Sequence, residues 1–460
     1  MKNRLKSNKF LISIITLVIP ITIQSLVSSS LNMVDNLMVG NLGESSIASV
    51  GMVNQYFFVF MLALSGINAG AGIFMSQFWG RKKISHIRKM LGLDLVLSII
   101  VSILFFIPAF IFPESIMRIF AKDAEVINLG IQYLKIISIT FIFTSITSAY
   151  STTLRCIGIA KSPMYGSLIG VLVNGVLNWV LIFGNLGFPA MGVAGAAIAT
   201  SIARFIEMIY ILNCAYKTND IIKCKVRELF NFDYDFIRVY FQTSSSVIIN
   251  EMVWALGLTV YLIIYSKIGI SAVASMQISS TINNMFMVVS MGLASAAAII
   301  IGNKIGAGEE EVAIEYATKL GILAPIIGLF SGLALWFTSP IIVSLFKINP
   351  ETIKMTINVL KIMALFAPLR FFNTLMIVGV FRGGGDTKYS MYVQLGCIWA
   401  YAIPAAYIAT VYFKLPLETV FFIICLEDVI KVFFEYKRLR SKKWIRNVSN
   451  EIVNISLKTS

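Results

Sequence analysis

The chain has 460 residues, of which 57% are hydrophobic and 13% charged, with a net charge of +15 and a mean hydropathy of +0.82. So little polar surface cannot cover a water-soluble globule of this length, and long uncharged stretches recur at the length a helix needs to cross a hydrocarbon core of about 30 Å. The excess Lys and Arg lie beside apolar segments, which points to a membrane surface and away from nucleic acid.

The pattern predicts an all-α integral membrane protein. Twelve helices are expected, at roughly 10–34, 45–78, 91–112, 128–152, 162–184, 190–214, 236–266, 270–303, 316–346, 354–380, 388–412 and 416–436. The alternation expected of barrel strands is missing. The apolar run behind the basic N-terminus is too long for a cleavable leader and lacks a small-residue cleavage site. Cys156, Cys214, Cys224, Cys397 and Cys425 are scattered without metal-ligand spacing and read as packing residues.

The first helix is a run of 25 uncharged residues from Phe10 to Val34 that ends at Asp35 in "LNMVDNLMVG". That carboxylate is either an outer-boundary residue or a functional group, and its position alone does not choose. Helix 5 carries Asn174 and Asn178 one turn apart on one face, as interhelical hydrogen-bonding groups or as the lining of a pocket. The 42 residues from Ser162 to Ala203 carry no charge and must form two helices, with "GNLGFPAMG" as the turn between them.

Ionisable residues inside apolar segments are costly, about 2.5–3.5 kcal/mol each on insertion scales, so each needs a reason. Arg204 and Glu207 in helix 6 stand at i, i+3 and can neutralise one another. Glu251 in helix 7 lies about a dozen residues inside its helix with no opposite charge on that helix, and it reads as functional. Arg370 in helix 10 reads as a partner or gate, and in helix 12 Glu427 or Asp428 can pair with Lys431.

Basic clusters set the orientation. Lys2, Arg4, Lys6 and Lys9, the loop "RKKISHIRK", the loop with Lys217, Lys223, Lys225 and Arg227, and the tail "EYKRLRSKKWIR" all fall on one side if every helix crosses, so both termini are expected to be cytoplasmic. The chain also repeats itself. At an offset of 226, "LGESSIAS" falls on "IGISAVAS", with Phe60, Gly66 and Gly80 on Phe286, Gly292 and Gly306; at 227, "RCIGIAKSPMY" falls on "RGGGDTKYSMY". Two parallel six-helix lobes follow, 1–230 with a cytoplasmic linker at about 215–235, and 231–460 with a basic tail from about 437. Paired halves of this kind are a common transporter plan. His86 is the only histidine and no nucleophile, metal or phosphate motif occurs, so an enzyme has no positive support. "RGGGDTK" lacks the phosphate-loop pattern and reads as a tight connection between helices.

Together "MVDNLMVG", the duplication, "LIFGNLGFPAMGVAGAAIAT" and "FRGGGDT" resemble the multidrug and toxic compound extrusion (MATE) family over essentially the whole chain. The resemblance implies a bacterial, multi-pass cell-membrane antiporter of the NorM- or DinF-like kind. Such proteins export small organic cations in exchange for protons or sodium, with no other cofactor. A monomer embedded in membrane lipid, with no nucleic-acid partner, is expected. Carried over, Asp35 resembles the essential helix 1 carboxylate, a proton site or sodium ligand, and Pro20 the proline at which that helix bends. Asn174, Asn178 and Thr200 resemble pocket residues, Glu251 the helix 7 ion-coupling glutamate of the NorM-like branch, and Gln277 a lining residue. Asn178 stands where several relatives have a second aspartate, and "LRFFNTLMIVGVFR" has no acid where NorM-like members have one. A flippase for a lipid-linked saccharide, or a non-transporting scaffold, are the rival readings.

Overall fold

The computed structural model describes residues 2–217, 222–223, 226–346 and 348–452; of residues 2–11, 13, 30–34, 36, 37 and 226 it describes only the backbone. Cys224 and Lys225, singled out in the sequence, lie outside the described residues. The described residues are helical throughout their ordered elements. In chain order these are α1 (Lys2–Gly40), α2 (Glu44–Gly80), α3 (Ile84–Ile111), α4 (Pro113–Phe120), α5 (Ala124–Ile137), α6 (Thr140–Cys156), α7 (Lys161–Phe183) and α8 (Gly192–Lys217). They continue as α9 (Val226–Leu229), α10 (Tyr234–Ile268), α11 (Ile270–Gly306), α12 (Glu310–Ser344), α13 (Pro350–Thr374), α14 (Thr387–Gly396), α15 (Ile403–Val411) and α16 (Leu417–Ser441). Wider π-helical turns extend α13 over Leu375–Phe381 and join α14 to α15 over Cys397–Ala402.

Nine of the described helices are long and apolar enough to cross a membrane. A tenth crossing is the pair α5 and α6, bent by 45°. That bend departs from the single helix expected at 128–152. Its cause is local: at the break the Ser138 hydroxyl donates to the Lys135 carbonyl and the Thr140 hydroxyl to the Ile137 carbonyl, drawing the backbone out of its ladder. The short α4, opened by Pro113 at its first position, also had no counterpart in the expected helices. Elsewhere the ends moved by up to eight residues, most at the starts of α1, at Lys2, and of α3, whose basic first turn runs on from Ile84.

Residues group into two compact units, Ile19–Tyr240 and Met1–Val18 with Phe241–Ser460. Helix starts recur at one register. Both α2 and α11 have 37 residues, and their first residues, Glu44 and Ile270, stand 226 apart, as do Ile84 and Glu310 and also Lys161 and Thr387. The glycines that open α2 and α11, Gly43 and Gly269, both have positive φ, 109° and 152°.

In the first unit a core of Phe60, Phe141 and Leu64 lies between α2, α3 and α6, with the Phe60 and Phe141 rings stacked at 4.8 Å. In the second, α12 and α13 pack closely because α12 offers glycine: a Cβ on Gly332 would stand 2.4 Å from the Ala364 carbonyl oxygen. Beyond α16 the chain folds back. Trp444 is fully buried, the Arg446 amide donates to the Gly384 carbonyl at 2.7 Å, and a Cβ on Gly384 would stand 2.5 Å from the Trp444 carbonyl oxygen. The glycines of "RGGGDTK" therefore serve close contact with the returning tail.

Candidate functional site

In the Ile19–Tyr240 unit three helices bring their polar residues onto one seam. Ser167, Asn174 and Asn178 recur at i, i+7 and i+11 on α7, Thr200 and Glu207 at i and i+7 on α8, and Gln24 and Asp35 at i and i+11 on α1. Each spacing closes on whole helical turns, so each set shares a face. The seam runs about 16 Å along the helices, at 1.5 Å per residue. Small residues let α7 and α8 come together there: a Cβ on Gly195 would lie 2.5 Å from the Leu181 carbonyl oxygen, and one on Gly170 3.3 Å from Glu207 Oε2.

At one end of the seam the Asn178 amide donates to Asp35 Oδ1, and also to Asn174 Oδ1 at 3.0 Å. Asn174 in turn donates to Thr200 Oγ1 at 3.0 Å. Asp35 is 8% exposed and Asn178 wholly buried, so the carboxylate lies among protein groups. Asn178 Oδ1 is buried with no donor among the described residues, so an oxygen beside the carboxylate stands ready for a proton donor or a cation.

Toward the other end, Gln24 donates to Ser167 at 3.2 Å, Ser167 to Glu207 Oε1 at 2.8 Å, and Arg204 pairs with Glu207 Oε2 at 2.8 Å. The i, i+3 pair expected from the sequence thus forms, and it is tied into two further helices. Pro20 is buried within α1, which remains helical through it while lacking one ladder donor there.

The second unit handles charge differently. Glu251 pairs with Arg382, which follows the π-helical extension of α13. Its own helix offered no partner, and a distant one supplies it. Gln277 on α11 is exposed. On α16 the two acids part company: Lys431 pairs with Glu427 at 3.1 Å, while Asp428 takes Arg370 Nε at 3.0 Å and the Asn373 amide at 3.0 Å. Tyr261, the residue 226 after Asp35, donates to Glu427 Oε2 at 3.4 Å.

Sequence reasoning passed over two carboxylates. Asp94 on α3 is wholly buried beside Ser98, and Glu435 on α16 is wholly buried too. Asp94 falls in the expected helix 3, just beyond "RKKISHIRK", and Glu435 opens the quoted tail "EYKRLR"; neither was singled out among the ionisable residues of the apolar segments. The signal that could have found them is spacing: Glu435 falls at i+4 from Lys431 and i+8 from Glu427. Among the described residues no group of three His, Cys, Asp or Glu could hold a metal ion.

Comparison with known proteins places this geometry. The MatE family model matches residues 20–180 and 246–408. The Bacillus subtilis protein called "uncharacterized transporter YisQ" is 23% identical over 440 residues, spanning 94% of this chain and 95% of that one. A Thermotoga maritima "probable multidrug resistance protein NorM" is 24% identical over 409 residues, or 88% and 86%. Among solved structures, a MATE protein in the bent conformation is 20% identical with a TM-score of 0.85, covering 94% of this chain and 96% of that one. A variant of the Vibrio cholerae MATE transporter VcmN is 16% identical with a TM-score of 0.87, covering 96% and 99%. At these identities the structural likeness is one of fold.

Proposed function

The chain belongs to the MatE family of multidrug transporters, a multi-pass membrane protein, and from that premise we propose that it exports small organic cations in exchange for a proton or sodium ion held at Asp35. The observation that carries this reading is the seam of α1, α7 and α8. At its Asp35 end it presents one buried carboxylate among neutral amide and hydroxyl groups, with the unpartnered oxygen of the Asn178 amide that donates to it, while Glu207 farther along is paired with Arg204. A site with a single formal negative charge suits a monovalent partner, and its oxygen donors suit a hard cation or a proton.

Exchange follows from competition. Ion and drug each favour the ionised or the occupied carboxylate differently, and a difference in affinity between the two facing states is what lets either ligand shift them. Asn174, Asn178 and Thr200 hold Asp35 in place and line the site. Pro20 supplies the weak point at which α1 bends when the carboxylate is neutralised. Glu251 couples to ions only when its pair with Arg382 opens, which makes it secondary to Asp35.

The membrane arrangement belongs to the same proposal. Nine long apolar helices, the bent α5–α6 pair as one crossing, and α1 and α16 at the two ends make twelve crossings. The basic loops then put both termini in the cytoplasm, and the two six-helix halves run parallel. Efflux of a fluorescent organic cation from proteoliposomes under separate proton and sodium gradients tests the coupling. Asp35→Asn is expected to abolish the gradient-driven part while the protein still inserts and folds. Full gradient-driven efflux by that variant would overturn the reading.

A further inference from the structure

The repeat relates α10 and α16 in the second unit to α1 and α8 in the first, and there too polar groups meet between helices. Tyr261 takes the place of Asp35, and the charge has moved to α16. Along one face of that helix stand Glu427, Lys431 and Glu435, at i, i+4 and i+8, spanning about 12 Å at 1.5 Å per residue. Charge in this cluster nearly closes: Lys431 answers Glu427 at 3.1 Å and Arg370 answers Asp428 at 3.0 Å.

Glu435 is what remains. It is 0% exposed, and neither carboxylate oxygen has a hydrogen-bond partner among the described residues. An ionised carboxylate stripped of water, with both oxygens unpartnered, costs far more than the neutral acid in the same place. The groups facing it are Lys431 and Asp428 from its own helix, Tyr389 from α14 and Cys397 from the π-helical turns that follow. From α13 comes Arg370, engaged by Asp428, and the one titratable side chain of α15, Tyr407, lies under Lys267 at 5.3 Å. Lys431 stands one turn before it on the same helix, and its ammonium is engaged by Glu427.

We propose that Glu435 is a second proton-binding carboxyl, carried as the neutral acid and exchanging its proton during the transport cycle. The α16 end that bears it runs straight into Arg438 and Arg440 in the helix's last turn. One proton passes between water and a Glu435 oxygen, an O–H bond forming or breaking, and no electrons move. Release is made tolerable by Lys431: when its contact with Glu427 loosens, the ammonium one turn away can serve the Glu435 carboxylate instead. The inference extends the antiport reading and rests on it only for the role in transport, since the protonation state itself is read without any flux.

Infrared spectroscopy of the full-length protein in lipid bilayers, across a pH titration, reads the carbonyl stretch of protonated carboxyl groups directly. Wild type is expected to show a component that disappears in Glu435→Gln and persists in Asp35→Asn. Glutamine copies the shape of the neutral acid, so that variant should melt at the wild-type temperature. A variant that fails to fold would mean that the ionised form is needed and would overturn the proposal, as would an unchanged carboxyl band. In proteoliposomes, the number of protons moved per exported fluorescent cation is expected to fall by about one in Glu435→Gln. An unchanged ratio would overturn the exchange. If Asp35→Asn alone left coupling intact, the antiport site would be misplaced while the Glu435 band still stood.

Discussion

At the scale of single residues, Asp35 and Asn178 carry most of the argument. The carboxylate could be located in the sequence, but its state of burial could not, because nothing along α1 says which helices lie against its end. Asn178 shows the converse. Read as a departure from a second aspartate, it is in the structure the donor that holds Asp35 and bridges it to Asn174. Replacing it with Ala removes a hydrogen bond to a charged group, a contribution of about 1.5–3 kcal/mol. Asn178→Ala is therefore expected to weaken cation binding by about tenfold or more, measured by calorimetric titration of the purified protein, with Asp35→Asn as the null. An affinity equal to wild type would remove Asn178 from the site.

The elements add what residues cannot: approach distance. The seam exists because α8 presents "GVAGAAIAT" to α7, and small side chains let the Thr200 hydroxyl come within 3.0 Å of Asn174. Gly195→Ala would place a methyl group 2.5 Å from a backbone carbonyl that cannot swing away, so the helices must separate. Overpacking of this kind costs about 1–3 kcal/mol. A fall in melting temperature together with slower efflux is the expected result, whereas Gly51→Ala, where no atom lies within 4 Å, is expected to leave both unchanged or to stabilise slightly. Equal melting temperatures for the two variants would mean that α7 and α8 are not held by this contact. The bend between α5 and α6 belongs to the same scale. Hydropathy reads straight through it, because apolar composition continues across the break while Ser138 and Thr140 locally redirect the backbone.

At the scale of the whole molecule, duplication and topology are the subject. Helix starts separated by 226 residues recur in both units, yet the chemistry is not duplicated: amides around Asp35 and one Arg204–Glu207 pair occupy the first, several paired charges the second. Topology is open to a direct check within the first unit. With native cysteines replaced, Ala190→Cys is expected to react with a membrane-impermeant maleimide added outside intact cells, and Lys83→Cys only after permeabilisation. Both positions are exposed, so access is decided by the bilayer. Labelling of the two from the same side would refute the proposed orientation.

The amino-acid sequence by itself determined that the chain is a helical membrane protein with an internal repeat, because periodicity, hydropathy and spacing are properties of order along the chain. It also named the residues able to carry charge in an apolar setting. Which charges are compensated was decided only by tertiary structure. Glu251 looked unpaired until Arg382 met it from another helix, and Asp428 turned from Lys431 to Arg370. Glu435, passed over as part of a basic tail, proved to be buried without a partner among the described residues. The physical reason is common to all three. The energy of a buried charge depends on what stands within a few ångströms of it, and those neighbours come from helices far away in sequence.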